Sequence, residues 1–81
     1  MNRFELNEKL IADNVDPRFF SIDGTCKDES LVLEKRSLNS WVVFYSERGL
    51  HTGEMIFGSE SEACEYMVKT LLKDPTVKKR Q

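Results

Sequence analysis

Trp41-Val42-Val43-Phe44-Tyr45 is the stretch on which the fold turns, because it is apolar at odd and even positions alike. Side chains on a strand alternate between the faces of a sheet, so such a run needs cover on both sides and predicts a strand in the middle of the sheet. Upstream, Leu31-Val32-Leu33 running into Glu34 and Lys35 reads as another strand, with Leu38 and Asn39 in the connection. Downstream, Ser46-Glu47-Arg48-Gly49 makes a turn in which Gly49 can take a positive backbone dihedral, and Met55-Ile56-Phe57 makes a further strand. Leu50 to Gly53 can extend either neighbour.

Further out the pattern changes. Phe19 to Ile22 is a short β-rich run stopped by Asp23-Gly24, a strong turn pair. Before it, Asn2 and Glu5 have the spacing of a capping box and start a helix with Phe4, Leu6, Leu10 and Ile11 on one face and Glu5, Glu8 and Lys9 opposite. That helix ends near Asp13 and Asn14, since Asn tolerates a left-handed cap and Pro17 pushes Asp16 out of helical geometry. After the last strand, Ser59 and Glu62 repeat the capping spacing and open a helix through about Lys73, with Ala63, Tyr66, Met67, Thr70 and Leu71 on its buried face. Asp74-Pro75 stops it. The fold class is therefore α+β in the order α-β-β-β-β-α, and short connections predict a four-stranded antiparallel sheet packed with two helices.

At 81 residues there is room for one hydrophobic core, so residues 1–77 form a single domain and 78–81 a basic, disordered tail. The 40% hydrophobic and 32% charged residues place the chain among folded globular proteins, away from the composition of disordered ones. No apolar run approaches the roughly 18 residues of a membrane span, and Asn2, Arg3 and Glu5 stand where a secretory signal would be apolar. Cytoplasmic localisation without membrane contact follows as the expectation. Cys26 and Cys64 are too few for a disulfide framework and fit free thiols in a reducing compartment.

Charge and side-chain inventory narrow the function classes. The net charge is −2, and without Lys78, Lys79 and Arg80 the basic residues fall from 12 to 9 against 14 acidic ones, a net of −5. An acidic body is a poor phosphate binder, so no nucleic-acid partner is expected. The helix-strands-helix outline is shared with double-stranded RNA-binding domains, but those place basic residues at the start of the last helix, where this chain has Glu60, Glu62 and Glu65. His51 is the only histidine, so a structural zinc site lacks ligands and a nucleophile lacks a second candidate base. Glu60 with Glu62, Glu62 with Glu65, and Asp28 with Glu29 are carboxylate pairs; the first two complement a helix dipole. No Gly-rich phosphate loop occurs, and neither a cofactor, a metal nor a catalytic residue is expected.

What remains is a binding surface. Tyr45, Glu47, Arg48, His51 and Glu54 cluster in sequence around the turn after the central strand, and aromatic and Arg side chains are enriched at interface centres. Trp41 and Tyr45 can each be core or interface; aromatics dominate small cores, which favours the core for Trp41, and the Tyr45 hydroxyl favours a wet rim.

Asp16-Pro17-Arg18-Phe19-Phe20-Ser21-Ile22-Asp23-Gly24, followed by Leu33-Glu34-Lys35, by Trp41 through Gly49 and by Phe57-Gly58-Ser59-Glu60-Ser61-Glu62-Ala63-Cys64, resembles a family of short bacterial immunity proteins. Those proteins are encoded beside the toxins of polymorphic or contact-dependent growth-inhibition systems, and the resemblance runs roughly from residue 6 to 76. It implies binding to a cognate toxin domain, such as a nuclease, and neutralisation by blocking its active site or its access to substrate. An acidic body suits that task, since complementary charge speeds encounter with a basic cleft. The resemblance assigns no contact residues, so the five hairpin residues rest on the surface argument alone. The rival reading is a small regulatory ligand- or peptide-binding module; monomer and weak homodimer through a sheet edge are both open.

Overall fold

The computed structural model of the chain describes residues 1–25 and 28–74. Cys26 and the Lys78-Lys79-Arg80 tail lie outside these described residues. The elements are α1 (Arg3–Ala12), a 3-10 turn (Pro17–Phe19), β1 (Phe20–Ser21), β2 (Ser30–Ser37), β3 (Ser40–Glu47), β4 (Leu50–Phe57) and α2 (Glu60–Leu72). The α+β order of helix, four strands and helix is the one the sequence predicts, and the sheet order β1-β2-β3-β4 places the Trp41 stretch in an inner strand.

The sheet is mixed. β2 with β3 and β3 with β4 are antiparallel, whereas β1 runs parallel to β2, with Phe20 opposite Leu31 and Ser21 opposite Val32. A parallel neighbour ordinarily needs a long crossover, because the chain must return over the full length of a strand. Here β1 is two residues, or about 7 Å of rise at the usual strand spacing, so a loop covers the return. Pro17 explains the shortness: it starts the 3-10 turn at its first position, the Asp16 carboxylate accepts the Arg18 backbone N–H at 3.0 Å, and Phe19 is drawn into that turn.

α1 carries the expected caps. The Asn2 side chain accepts the Glu5 N–H at 2.9 Å and the Glu5 carboxylate accepts the Asn2 N–H at 3.1 Å. At the other end Asn14 is left-handed (φ 63°), its N–H donates to Ile11, and the N–H of buried Val15 donates to Leu10, which is the Schellman arrangement. The expected apolar face is corrected. Leu6 and Leu10 are fully buried, but Phe4 is 79% and Ile11 54% exposed. At about 100° per residue Phe4 lies on the far side of the helix from Leu6, and Ile11 a quarter turn from Leu10. α2 is capped by Ser59, whose hydroxyl accepts the Glu62 N–H at 3.3 Å and donates to the Glu62 carboxylate at 3.2 Å. It buries Ala63, Cys64, Met67 and Leu71.

Each face of the sheet holds its own cluster. Leu31, Leu33, Trp41 and Val43 join Leu6, Leu10, Met67 and Leu71 in the main core between sheet and helices. Val32, Val42 and Phe44, which alternate with them, form a second buried cluster on the opposite face. The His51 ring lies stacked on Phe44 with centroids 4.2 Å apart. On the same side Gly24 (φ 83°) lies beside Glu34, a Cβ there standing in ordinary contact at 3.6 Å from Glu34 Cγ. The doubly apolar reading of residues 41–45 holds for Trp41 to Phe44, with helices covering one face and a loop and cross-strand side chains the other, but not for Tyr45, which is 38% exposed.

Candidate functional site

The β3–β4 hairpin carries all five nominated residues. Arg48 (φ 50°) and Gly49 (φ 80°) are both left-handed, the two-residue turn whose twist matches that of the strands it joins. The Arg48 backbone N–H donates to the Asp28 carboxylate at 2.5 Å, tying the turn to the loop before β2. Glu47 pairs with Leu50, Ser46 with His51 and Tyr45 with Thr52. The register then slips, so that Val43 meets Met55, Val42 meets Ile56 and Trp41 meets Phe57. Gly53 (φ 62°) sits at the slip and supplies the bulge that a side chain would disfavour.

This geometry divides the nominated set. Tyr45 and Glu47 continue the Trp41–Val43 row on the helix-bearing side, while His51 and Glu54 belong to the Phe44 side and Arg48 occupies the tip. His51 covers Phe44, which gives it a packing role. Glu54 is gripped by Arg36, whose two terminal nitrogens reach its two carboxylate oxygens at 3.3 and 3.0 Å, and Arg36 Nε also donates to Glu34 at 2.9 Å. Those two carboxylates, Glu34 first, hold the guanidinium above its ordinary value. Trp41 is core, buried with Arg3 and Lys35 placed over its ring at 5.3 and 5.4 Å. Tyr45 is 38% exposed, and its hydroxyl is pushed up by partial burial first and then by the charges of Glu47, Glu29, Asp28 and Asp74.

Three residues of β4 escape the sequence reading. Leu50 is 68%, Ile56 65% and Met55 44% exposed, although Met55-Ile56-Phe57 has the composition of a buried strand. Strand order is what exposes them, since β4 is an edge, and composition carries no trace of strand order. A second feature without a sequence signal is a cavity of about 170 Å³ beside Tyr45. Phe19, Leu31 and Leu71 supply its apolar walls, and Glu29, Thr70 and Asp74 its polar ones.

Elsewhere, the buried Cys64 thiol is pushed up to about 11, chiefly by burial, which keeps it protonated and poorly nucleophilic. Among the described residues no group of three or more His, Cys, Asp or Glu side chains is placed to hold a metal ion, and no helix is long and apolar enough to cross a membrane. No protein-family model matches the chain, and no curated protein or solved structure is significantly similar to it.

Proposed function

We propose that this chain is an immunity protein of the bacterial cytoplasm that binds a cognate toxin domain and neutralises it by covering its active site or its path to substrate. It works by recognition, with no turnover of its own. The observation that carries the reading is the exposure of Leu50, Met55 and Ile56 on an edge strand, Leu50 and Met55 on the helix-bearing side and Ile56 on the other, with Glu47 paired opposite Leu50. An edge strand bearing that much apolar surface offers a partner both unpaired backbone groups and apolar contact. The Glu47 carboxylate favours a basic partner over an acidic one. The sequence resemblance to toxin-neutralising proteins points the same way.

The test is growth rescue. Co-expression with the toxin encoded next to its gene is expected to restore growth and to give a complex that survives dilution during purification. Leu50→Lys with Ile56→Lys, at positions already in solvent, is expected to leave circular dichroism unchanged and abolish rescue. Rescue by the double variant at wild-type level removes the hairpin edge from the interface, and absence of rescue by the wild-type chain removes the immunity reading. The same exposed edge favours, second, a regulatory module that pairs with its own copy. Light scattering on the isolated chain separates the two, since only self-pairing gives a dimer without a partner.

A further inference from the structure

We propose that the outer edge of β4, over residues 54–57, takes an extended segment of a protein partner as a fifth strand, with alternate side chains of that segment seated in the groove between β4 and α2. The inference rests on the reading of the chain as a protein-binding domain and names the form and chemistry of what the domain grips.

Backbone geometry decides the class of occupant. Glu47 and Leu50 flank a two-residue turn and so exchange hydrogen bonds, which sets the odd-numbered residues of β3 to bond to β4 and the even-numbered ones to β2. Met55 and Phe57, opposite Val43 and Trp41, therefore bond inward, and Ile56 between them turns its N–H and C=O out of the sheet. No described strand pairs with that side, and the other edge, β1, is only two residues long. A helix spends its main-chain groups on itself, so an extended segment is the occupant that matches an open strand.

The groove beside the edge decides which side chains the segment carries. Glu62, Glu65, Tyr66 and Lys69 lie at i, i+3, i+4 and i+7 on one face of α2 and, with Phe57, line a cavity of about 270 Å³. The Phe57 and Tyr66 rings are 5.3 Å apart and pack partly buried against the main core, and Met55 is 44% exposed on the same side of β4. Residues directly opposite on paired strands share a face, so added residues opposite Met55 and Phe57 meet this apolar floor. Aliphatic, β-branched side chains suit those two positions.

Charge selects further. Two carboxylates and one ammonium, that of Lys69, line the cavity, and on the opposite face of the run Glu34 and Glu54 share the one guanidinium of Arg36. Arg3 and Lys35 lie one strand inward, over the Trp41 ring, and Arg3 is paired with Glu60. The groups at the edge itself thus favour a segment with basic ends over one with acidic ends. Lys78, Lys79 and Arg80 follow the end of α2 far from Glu62, about 20 Å along a helix of 13 residues. Titrating the full chain sets them in competition with any basic probe.

The probe is acetyl-Lys-Ile-Thr-Ile-Lys-amide, whose palindromic sequence serves parallel and antiparallel pairing alike, followed by amide chemical shifts. Shifts are expected at Met55, Ile56, Phe57 and Tyr66. Methylating the backbone nitrogen of the threonine alone, or of the two isoleucines alone, removes donors from opposite edges of the bound strand. One of these peptides is expected to bind roughly fivefold more weakly or worse and the other to stay within about twofold. The glutamate-ended peptide is expected to bind roughly twofold to fivefold more weakly at low salt. Equal losses from the two methylations, equal affinity of the glutamate-ended peptide, or a titration that leaves Ile56 and Tyr66 unmoved overturns the proposal. Because the peptides need no toxin, a positive titration beside a failed growth rescue retains the added strand and discards the immunity reading, and the converse result does the reverse.

Discussion

The backbone N–H of Arg3, in the first turn of α1, is hydrogen-bonded at 2.9 Å to the carboxylate of Glu60 at the start of α2. The Arg3 Nε approaches the same oxygen at 3.5 Å, and the N-terminal ammonium of Met1 donates to the Ser61 hydroxyl at 3.2 Å. Two helix N-termini, each with partial positive charge, therefore meet around one negative side chain. The Arg3 amide, one of the first-turn donors of α1, would otherwise lack an intrahelical partner.

Glu60→Ala removes the acceptor of the Arg3 amide and is expected to lower stability by about 1 kcal/mol, the usual size for loss of a cap together with a partly solvated ion pair. Glu60→Gln keeps an acceptor oxygen and is expected to lose less. Urea denaturation of the three proteins checks the ranking; equal midpoints for Glu60→Ala and the wild type would show that the contact contributes nothing.

Two phenylalanines give opposite expectations. Phe44 is 1% exposed in the cluster away from the helices, so Phe44→Ala is expected to cost about 3–5 kcal/mol, enough to unfold much of a small domain. Phe4 is 79% exposed, and Phe4→Ala is expected to stay within about 0.5 kcal/mol of wild type. Thermal melts distinguish this from the pattern predicted by α1's apolar spacing, in which both substitutions would be costly.

That contrast shows where the sequence is legible. Residues that signal locally, such as the capping box of Asn2 and Glu5, the left-handed Asn14 and the doubly apolar run at 41–44, specify elements correctly because the physics acts within a few residues. Phe4 and Ile11 are misplaced because helix periodicity identifies apolar positions without saying how wide a stripe the neighbours cover. The parallel pairing of β1 is missed because it depends on a strand being only two residues long. The nominated hairpin residues are neighbours in sequence, yet a one-residue alternation and the Gly53 bulge send Tyr45 to one face and His51 and Glu54 to the other. The cavity beside Tyr45 joins the 3-10 turn, β2, β3 and α2, and no local pattern announces a meeting of four segments.

Arg48 holds a left-handed conformation for which asparagine is better suited, and asparagine followed by glycine is the preferred pair for this turn. Arg48→Asn is expected to raise stability by about 0.5 kcal/mol, measured by urea denaturation. If the Arg48 side chain also touches a partner, affinity falls in the same variant while stability rises, so calorimetry and denaturation together separate its two roles.

Asp23 gives the pH dependence. Its carboxylate accepts the Thr25 backbone N–H at 3.0 Å and the Ser21 hydroxyl at 3.0 Å; Thr25 first, then Ser21, holds it down from 3.8 to about 2. Since the folded value is the lower one, this group's stabilisation is fully present above about 3.8 and is lost as pH falls through about 2. Carboxyl-carbon NMR is expected to show Asp23 titrating near 2, and Ser21→Ala to move the midpoint upward. A midpoint near 3.8 in the wild-type protein contradicts the two bonds.

The Gly53 bulge breaks the open margin of the sheet into two short runs, residues 50–52 and 54–57, whose unpaired amides and carbonyls do not share one line. Fibril growth requires an uninterrupted ladder repeated from chain to chain, and a kinked margin cannot template one. The protein can thus display Leu50 and Ile56 to water and remain dispersed, while a visitor with a three- or four-residue extended segment still finds a matching run to grasp.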